Sequence, residues 1–522
     1  MTDSNTVSSG LATLSATGWA VNDEYTTNGQ DPARYRNTCV IAGDSITARS
    51  GLIQQVGATS AVVGDGAKAV FTLASSAIMT GAKLNFIKGQ GSEFDGKILT
   101  ATNINVNSFS VPATFVGNPA AIPIWNNQIR LSERGWWTWA NAYLRGKLWL
   151  LNNAGIGGDD PAGVLERLQN DVIAYGPKYA IIMIGINQIG TDSVDTTFAA
   201  IRRIIARIVK ASITPIVLTV LPLHQSYATF STITPKITQL NWLLRAYCEQ
   251  NGFMCVDTFE ALVDSAQTDG RAIANAIQGG ADFVHTSTLG ARLVGKAVAA
   301  AMSPLLLPAP TLTTTQGENF AANASNLNLI NEAPWTLTGG SASGTGVSGA
   351  AATPAGFTVT SSGVTASTCV VTSAARTVGA DGDAVGNNII LTMTGAEANA
   401  IFQVQLSPEL AARMVAGIDY KFRFLLTLSG TTGSNLGGIL ATMLTTYNGT
   451  NRGYISGLET DASPPAMPYE DGTYLVESPT FRVPAGQAVN SGWFPFVQFK
   501  FLGAGTPVVA KIARVTYPRV SV

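Results

Sequence analysis

The sequence predicts an α/β protein with added β-structure: a parallel sheet flanked by helices, an inserted small β-domain, and a C-terminal β-sandwich or jelly roll. Three observations predict it. From Thr38 onward, short apolar runs alternate with stretches of helical periodicity. Within that alternation about 80 residues switch to the two-residue period of strands, too long a stretch for a structureless loop. The final third is crowded with Gly, Ser and Thr between short β-branched and aromatic runs, the pattern of an all-β unit. At 522 residues the chain has room for roughly three to four domains.

In chain order, residues 1–37 are polar and rich in turn formers, with Leu11, Leu14, Trp19 and Val21 to bury, and read as a lead-in segment. The α/β region spans 38–302. Its strands are CVIAG from Cys39, KLWLLNNAG from Lys147, YAIIMIGIN from Tyr179, ITPIVLTVLP from Ile213 and GFMCVDTF from Gly252. Apolar residues at three-and-four spacing mark helices in WWTWANAYLRG from Trp136, AGVLERLQNDVIAYG from Ala162, DTTFAAIRRIIARIVKAS from Asp195, KITQLNWLLRAYCEQNG from Lys236 and LGARLVGKAVAAAM from Leu289. Strict alternation of strand and helix calls for right-handed crossovers and a sheet covered on both faces. The inserted β-domain occupies 52–132. PLLLPAP, within 303–310, reads as a stiff Pro-rich linker, and 311–522 as the β-sandwich. A chain ended after that linker is expected to leave an α/β core able to work alone.

Charge excludes some partners. The chain has 32 basic and 33 acidic residues, formally −1, and only 12% of its residues are charged against a usual ~25%. Without a basic excess there is no electrostatic footprint for nucleic acid or an anionic membrane. No apolar run approaches the roughly 18 residues of a membrane span, and MTDSNTVSSG has neither the basic nor the apolar region of an export signal. Cys39, Cys248, Cys255 and Cys369 lack ligand or stapling spacing and are expected to be buried free thiols. No metal constellation and no P-loop is visible, so no cofactor is expected.

In an open parallel sheet, chemistry gathers beyond the carboxyl ends of the strands. Those places hold Gly43-Asp44-Ser45-Ile46-Thr47, Asn153-Ala154-Gly155-Ile156-Gly157-Gly158-Asp159, Gly185-Ile186-Asn187-Gln188 and, further on, Asp282-Phe283-Val284-His285. A serine hydroxyl is too weakly acidic to attack an ester unaided and needs a base that ionises near neutrality. The chain contains two histidines. His285 follows Asp282 by three residues, a spacing that in a helical turn lets the carboxylate accept from Nδ1–H and leaves Nε2 facing the serine. His224, past the fourth strand in LPLHQ, is the other; it is open to reading as a substrate contact, a structural residue or the base, though no acidic residue lies close to it in sequence.

These blocks resemble those of the SGNH, or GDSL-like, esterase/acetylhydrolase superfamily. GDSIT is similar to its nucleophile block, NAGIGG with a helix carrying Leu165, Arg167 and Leu168 to its glycine block, GIN to its asparagine block, and DFVH to its Asp-x-x-His block. The resemblance covers about Cys39 to Met302 apart from the insert. It implies an SGNH-type hydrolase with Ser45, Asp282 and His285 as catalytic residues. It also implies an oxyanion hole formed by the backbone N–H of Ser45, the backbone N–H of Gly158 and the side-chain amide of Asn187. Gly157 is the alternative register for the glycine donor. The family's asparagine block usually continues with Asp, whereas Gln188 follows here, which bears on how the loop is anchored.

The family acts on lipids, small esters and acylated sugars, so the substrate must be read from the added β-structure. The terminal region resembles jelly-roll modules that bind carbohydrate. The insert is similar to small β-domains recurring in bacteriophage tail proteins. Together they imply a serine O-acetylesterase acting on a bacterial surface polysaccharide, capsule or O-antigen, in a virion tail or otherwise outside the cell. A homotrimer attached to other tail proteins is the expectation that goes with it. The alternatives are a bacterial carbohydrate esterase or general carboxylesterase, and a non-catalytic receptor-binding adhesin on a hydrolase fold.

Overall fold

The computed structural model of the protein describes residues 37–49 and 135–306 throughout and segments of 55–131 and 339–520. The lead-in 1–36 and the Pro-rich residues 307–310 lie outside the described residues. The α/β region is built on five parallel strands: β1 (Thr38–Gly43), β2 (Trp149–Gly155), β3 (Tyr179–Met183), β4 (Thr214–Leu218) and β5 (Met254–Val256), in the spatial order β2-β1-β3-β4-β5. The chain leaves β1 to one side for β2 and returns to the other for β3. A crevice at the carboxyl end of β1 follows from that reversal. Gly43 is level with Gly155 on one side and Met183 on the other, so the loops after all three strands emerge together.

The strands are near-continuous apolar runs because both sheet faces are covered. Tyr179–Met183 is buried throughout. The helices are α1 (Ser45–Ala48), α2 (Trp136–Tyr143), α3 (Pro161–Asp171), α4 (Val194–Lys210), α5 (Phe230–Asn251) and α6 (Thr288–Met302). α4 shows the local logic. Ser193 caps it by accepting from the Thr196 N–H, Asp195 occupies its first turn, and Arg207 and Lys210 its last, complementing the helix dipole. Its buried stripe is Val194, Thr197, Ile201, Ile204, Ile205 and Ile208. α5 begins six residues before the periodic segment read from the sequence and carries Pro235 near its start.

Within 55–126 the described residues of the insert form two four-stranded antiparallel sheets: Gln55–Val56, Ile124–Asn126, Lys83–Phe86 and Ile98–Thr100, then Ala61–Gly64, Ala69–Thr72, Ser108–Val111 and Thr102–Asn105. Phe71, Phe86, Phe94 and Phe109 fill the core between them, with ring centroids 5.2–5.6 Å apart. Arg130–Leu131, at the end of the segment expected to be insert, instead pairs in parallel with Ile455–Ser456.

That pairing makes Arg130–Leu131 the seventh strand of a sheet whose other six come from the C-terminal region, and this sheet faces a six-stranded one across one apolar core. Phe402, Ile439 and Phe499 come from the first sheet, and Leu391, Leu426 and Ile512 from the second. The core also takes in Trp139 and Ala142 of α2 and Ala291 of α6. α2 is therefore buried nearly all round, with Trp136 and Trp137 in the α/β core and Trp139 in the other. Polar contacts cross the same seam. Asn141 donates to Glu477 at 2.8 Å, and Glu477 accepts from the buried Arg423 at 3.1 Å. Glu470 meets Arg292 at 3.3 Å and Lys296 at 3.1 Å. The expectation of a self-standing core is altered accordingly: removing the C-terminal sheets would bare Trp139, whose burial is worth on the order of 4 kcal/mol.

Cys39, Cys248 and Cys369 are buried free thiols as expected, while Cys255 is only half-buried. No helix among the described residues is long and apolar enough to cross a membrane.

Candidate active site

β1 ends in Gly43 because the neighbouring backbone comes too close for a side chain; a Cβ would overlap the carbonyl of Met183. Asp44 then caps α1, its carboxylate accepting from the Ile46 N–H at 2.9 Å, which places Ser45 at the first position of the helix. The Ser45 hydroxyl lies 2.6 Å from His285 Nε2. His285 Nδ1 lies 2.9 Å from both carboxylate oxygens of Asp282. Serine, imidazole and carboxylate, 240 and three residues apart in the chain, thus form one hydrogen-bonded line.

The local geometry of Asp282 and His285 differs from the helical turn expected. Asp282–Thr286 is a short strand paired antiparallel with Ile277–Gly279. The three-residue spacing works because Asp282 Oδ1 also accepts from the backbone N–H of Val284 at 3.3 Å and of His285 at 3.0 Å, a side-chain turn that folds the carboxylate back onto the ring. Burial pushes the Asp282 carboxyl up, but bonds from the His285 ring and N–H and the charges of His285 and Arg49 outweigh it, so it stays well below the usual carboxylate range. Arg49, which caps α1, donates to Asp282 Oδ2 at 3.1 Å and ties the serine's helix to the histidine's strand. Arg49 is a site residue that nothing local in the sequence marks, since its partner Asp282 lies 233 residues away.

The second and third loops converge on the same place. Ile156 N–H donates to Gly43 O at 3.1 Å, docking the glycine block on the turn before Ser45. Gly158 follows with φ +77°, a left-handed conformation in which a side chain is strained, and it is exposed. The exposed Asn187 donates from Nδ2 to Asp159 O at 2.8 Å, so the asparagine and glycine loops are bonded to one another. Gln188 is anchored through its amide to Asp192, while Lys236 Nζ binds the carbonyls of Ile189 at 3.3 Å and Asp192 at 3.2 Å. The loop is held without the family's usual Asp.

His224 stands apart from the serine line. Its Nδ1 accepts from Ser226 N–H at 3.1 Å, its backbone N–H donates to Phe283 O at 3.1 Å, and its ring centre lies 5.3 Å from that of Phe283. It braces the hairpin that carries Asp282 and His285. With Nδ1 accepting, the neutral ring carries its proton on Nε2.

Behind the site lies a charged layer. Asp159, buried, is paired with Arg167 at 2.8 Å, and Arg167 also meets Asp171 at 3.1 Å and Gly43 O at 3.2 Å. Asp44 is fully enclosed. Burial pushes its carboxyl up to about 7, opposed by the Ile46 N–H and assisted by the charge of Asp159. Between 3.8 and about 7 the native protein therefore holds a proton that the unfolded chain has released, and stability falls as pH rises through that window. Asp44→Asn keeps an acceptor for Ile46 and removes the titration. Thermal unfolding should show it raising Tm over the parent by more at pH 8 than at pH 4; an equal difference at both would refute the buried acid.

A serine hydroxyl bonded to an imidazole that a carboxylate holds, at the crevice of a parallel sheet, is the arrangement of a serine hydrolase acting on carboxylic esters. Residues 124–293 match the GDSL-like lipase/acylhydrolase family. The matched segment carries Gly158, Asn187, Asp282 and His285; Ser45 lies ahead of the insert, outside it. No curated protein sequence matches the chain. Among solved structures, a GDSL-like lipase from Bacteroides thetaiotaomicron VPI-5482 is 21% identical over 32% of this chain and 83% of its own, with TM-score 0.28. An acetyl xylan esterase is 20% identical over 33% of this chain and 92% of its own, with TM-score 0.29. An α/β hydrolase from the metagenome of Lake Arreo, Spain, is 18% identical over 52% of this chain and 97% of its own, with TM-score 0.31. At these TM-scores none of the likenesses bears on function.

Proposed function

We propose that the protein is a serine O-acetylesterase that deacetylates a bacterial surface polysaccharide as a component of a phage tail. Ser45 attacks the acetyl carbonyl, His285 takes its proton and returns it to the leaving sugar hydroxyl, and Asp282 holds the imidazole in the required tautomer. The N–H groups of Ser45 and Gly158 and the Asn187 amide receive the negative charge of the tetrahedral intermediate. The second hydrogen of the Asn187 amide serves this role, since the first is used on Asp159. His224 Nε2 is a contact for the sugar. The β-rich insert and C-terminal sheets hold the polymer, and the trimer and tail attachment proposed for the chain would use them.

The observation that carries the esterase reading is the continuous Ser45–His285–Asp282 line. Support for a short acyl group comes from the loops around it: Gly158 and Asn187 are exposed, whereas Ile156, Ile184 and Ile186 are turned into the core. Nothing long and apolar is presented to an acyl chain by these loops. The test is acetate release from purified acetylated capsule or O-antigen, alongside p-nitrophenyl esters of increasing chain length. Acetate release and a preference of at least about tenfold for acetyl over octanoyl are expected. Preference for octanoyl would indicate a general carboxylesterase, and polymer binding without acetate release would indicate an adhesin.

A further inference from the structure

The insert does not merely sit in the chain between Ser45 and the other site residues. It reaches the loop that carries Gly158 at consecutive points. Asn85, buried on the strand Lys83–Phe86, donates to Gly155 O at 2.6 Å. Lys88, two residues beyond that strand, donates from its backbone N–H to Gly157 O at 3.0 Å. Its ammonium lies 3.3 Å from Asp159 Oδ1 and 3.0 Å from Asp160 Oδ2. A Cβ on Gly158 would stand 3.1 Å from Lys88 O, so the two backbones lie almost in contact. On its other side the loop is held by Asn187 through Asp159 O and by Arg167 through the Asp159 carboxylate.

We infer that the insert is part of the catalytic apparatus, with Lys88, seconded by Asn85, acting as a positioning residue for the oxyanion donor at Gly158. The inference rests on the donor role proposed above for Gly158. Two effects combine. The backbone bonds set where the 157–158 peptide points, and a donor misplaced by a fraction of an ångström loses much of its effect in the transition state. The ammonium also offsets charge: Asp159 and Asp160 are two carboxylates beside the donor, met by Lys88 and by an Arg167 that is shared with Asp171. Burial alone would lower the Lys88 ammonium's affinity for its proton, but the bond to Asp160 and the charges of both aspartates raise it, so it stays charged at neutral pH. Without it, unbalanced negative charge would lie next to the place where the oxyanion develops.

The full-length protein and p-nitrophenyl acetate test this without reference to any polymer. Lys88→Met should lower kcat about tenfold with KM within about twofold, because the affected interaction is made mainly in the transition state. Lys88→Arg should restore kcat to within about threefold of the parent. Combined with Asn187→Ala, the loss should be smaller than the product of the two single losses, since both act on one loop. Lys88→Gln serves as the second neutral variant where the Met protein does not fold. Unchanged kcat in the neutral variant, an equal loss with Arg, or strict multiplicativity with Asn187→Ala would overturn the inference. A Ser45→Ala control that still turns over would instead sink the esterase reading itself.

Discussion

Ser45→Ala and His285→Ala are each expected to reduce turnover of an acetyl ester by about 10⁴- to 10⁶-fold, with little change in apparent substrate affinity. The magnitude follows from the geometry: at 2.6 Å the imidazole Nε2 is placed to take the hydroxyl proton as the bond to carbon forms. The two losses should not multiply, because serine and base act as one unit. A double variant should turn over about as slowly as either single one, the remainder over water coming from the oxyanion donors and binding. Circular dichroism should show both variants folded, since neither side chain belongs to an apolar core. Turnover within about tenfold of the parent in either variant would dismantle the assignment of nucleophile and base.

Asp282→Asn comes next, with an expected loss of about 10³- to 10⁴-fold in kcat. The amide oxygen can still accept from the N–H groups of Val284 and His285, so the hairpin should keep its shape. What changes is the ring: an amide that presents N–H to Nδ1 favours the tautomer whose proton sits on Nε2, the wrong nitrogen for taking a proton from Ser45. The bond from Arg49 to Oδ2 becomes a contact between a cation and a neutral group, which removes a tie between α1 and the hairpin. Steady-state kinetics with an intact thermal transition would check this. A loss of less than about tenfold would show that the carboxylate does not set the tautomer.

How far the site was legible depends on the distance over which each feature is encoded. GDSIT and GIN lie within a few residues of a strand end, visible as the stop of an apolar run, and DFVH sets an acid and a base three residues apart. Ser45, Asp282 and His285 could be named on that ground. Arg49 and Lys88 could not. Their partners, Asp282 and Asp159–Asp160, are 233 and 71 to 72 residues away, and nothing local distinguishes them from solvated cations. The hairpin of Leu436–Tyr447 with Thr450–Gly457 was also passed over, although Asn448-Gly449 between its strands is a hairpin dipeptide.

The sequence by itself determined the alternation of strand and helix in the α/β region, the two β-rich additions and the chemical types at the strand ends. Periods of 2 and 3.6 residues and short motifs are properties of neighbouring residues, and burial of one face is enough to make them readable. Only the tertiary structure decided which surfaces meet. It put Trp139 into the core of the C-terminal sheets, joined Arg130–Leu131 to Ile455–Ser456, and made Asp282–His285 a strand closed by a side-chain turn. It also brought Asn85 and Lys88 of the insert onto the loop of Gly158. Each of these is a contact between residues whose own segments were already satisfied locally, or a choice between two backbone forms with the same spacing. Such contacts are settled by the burial and pairing available once the whole chain has collapsed, and they leave no periodic trace in the sequence.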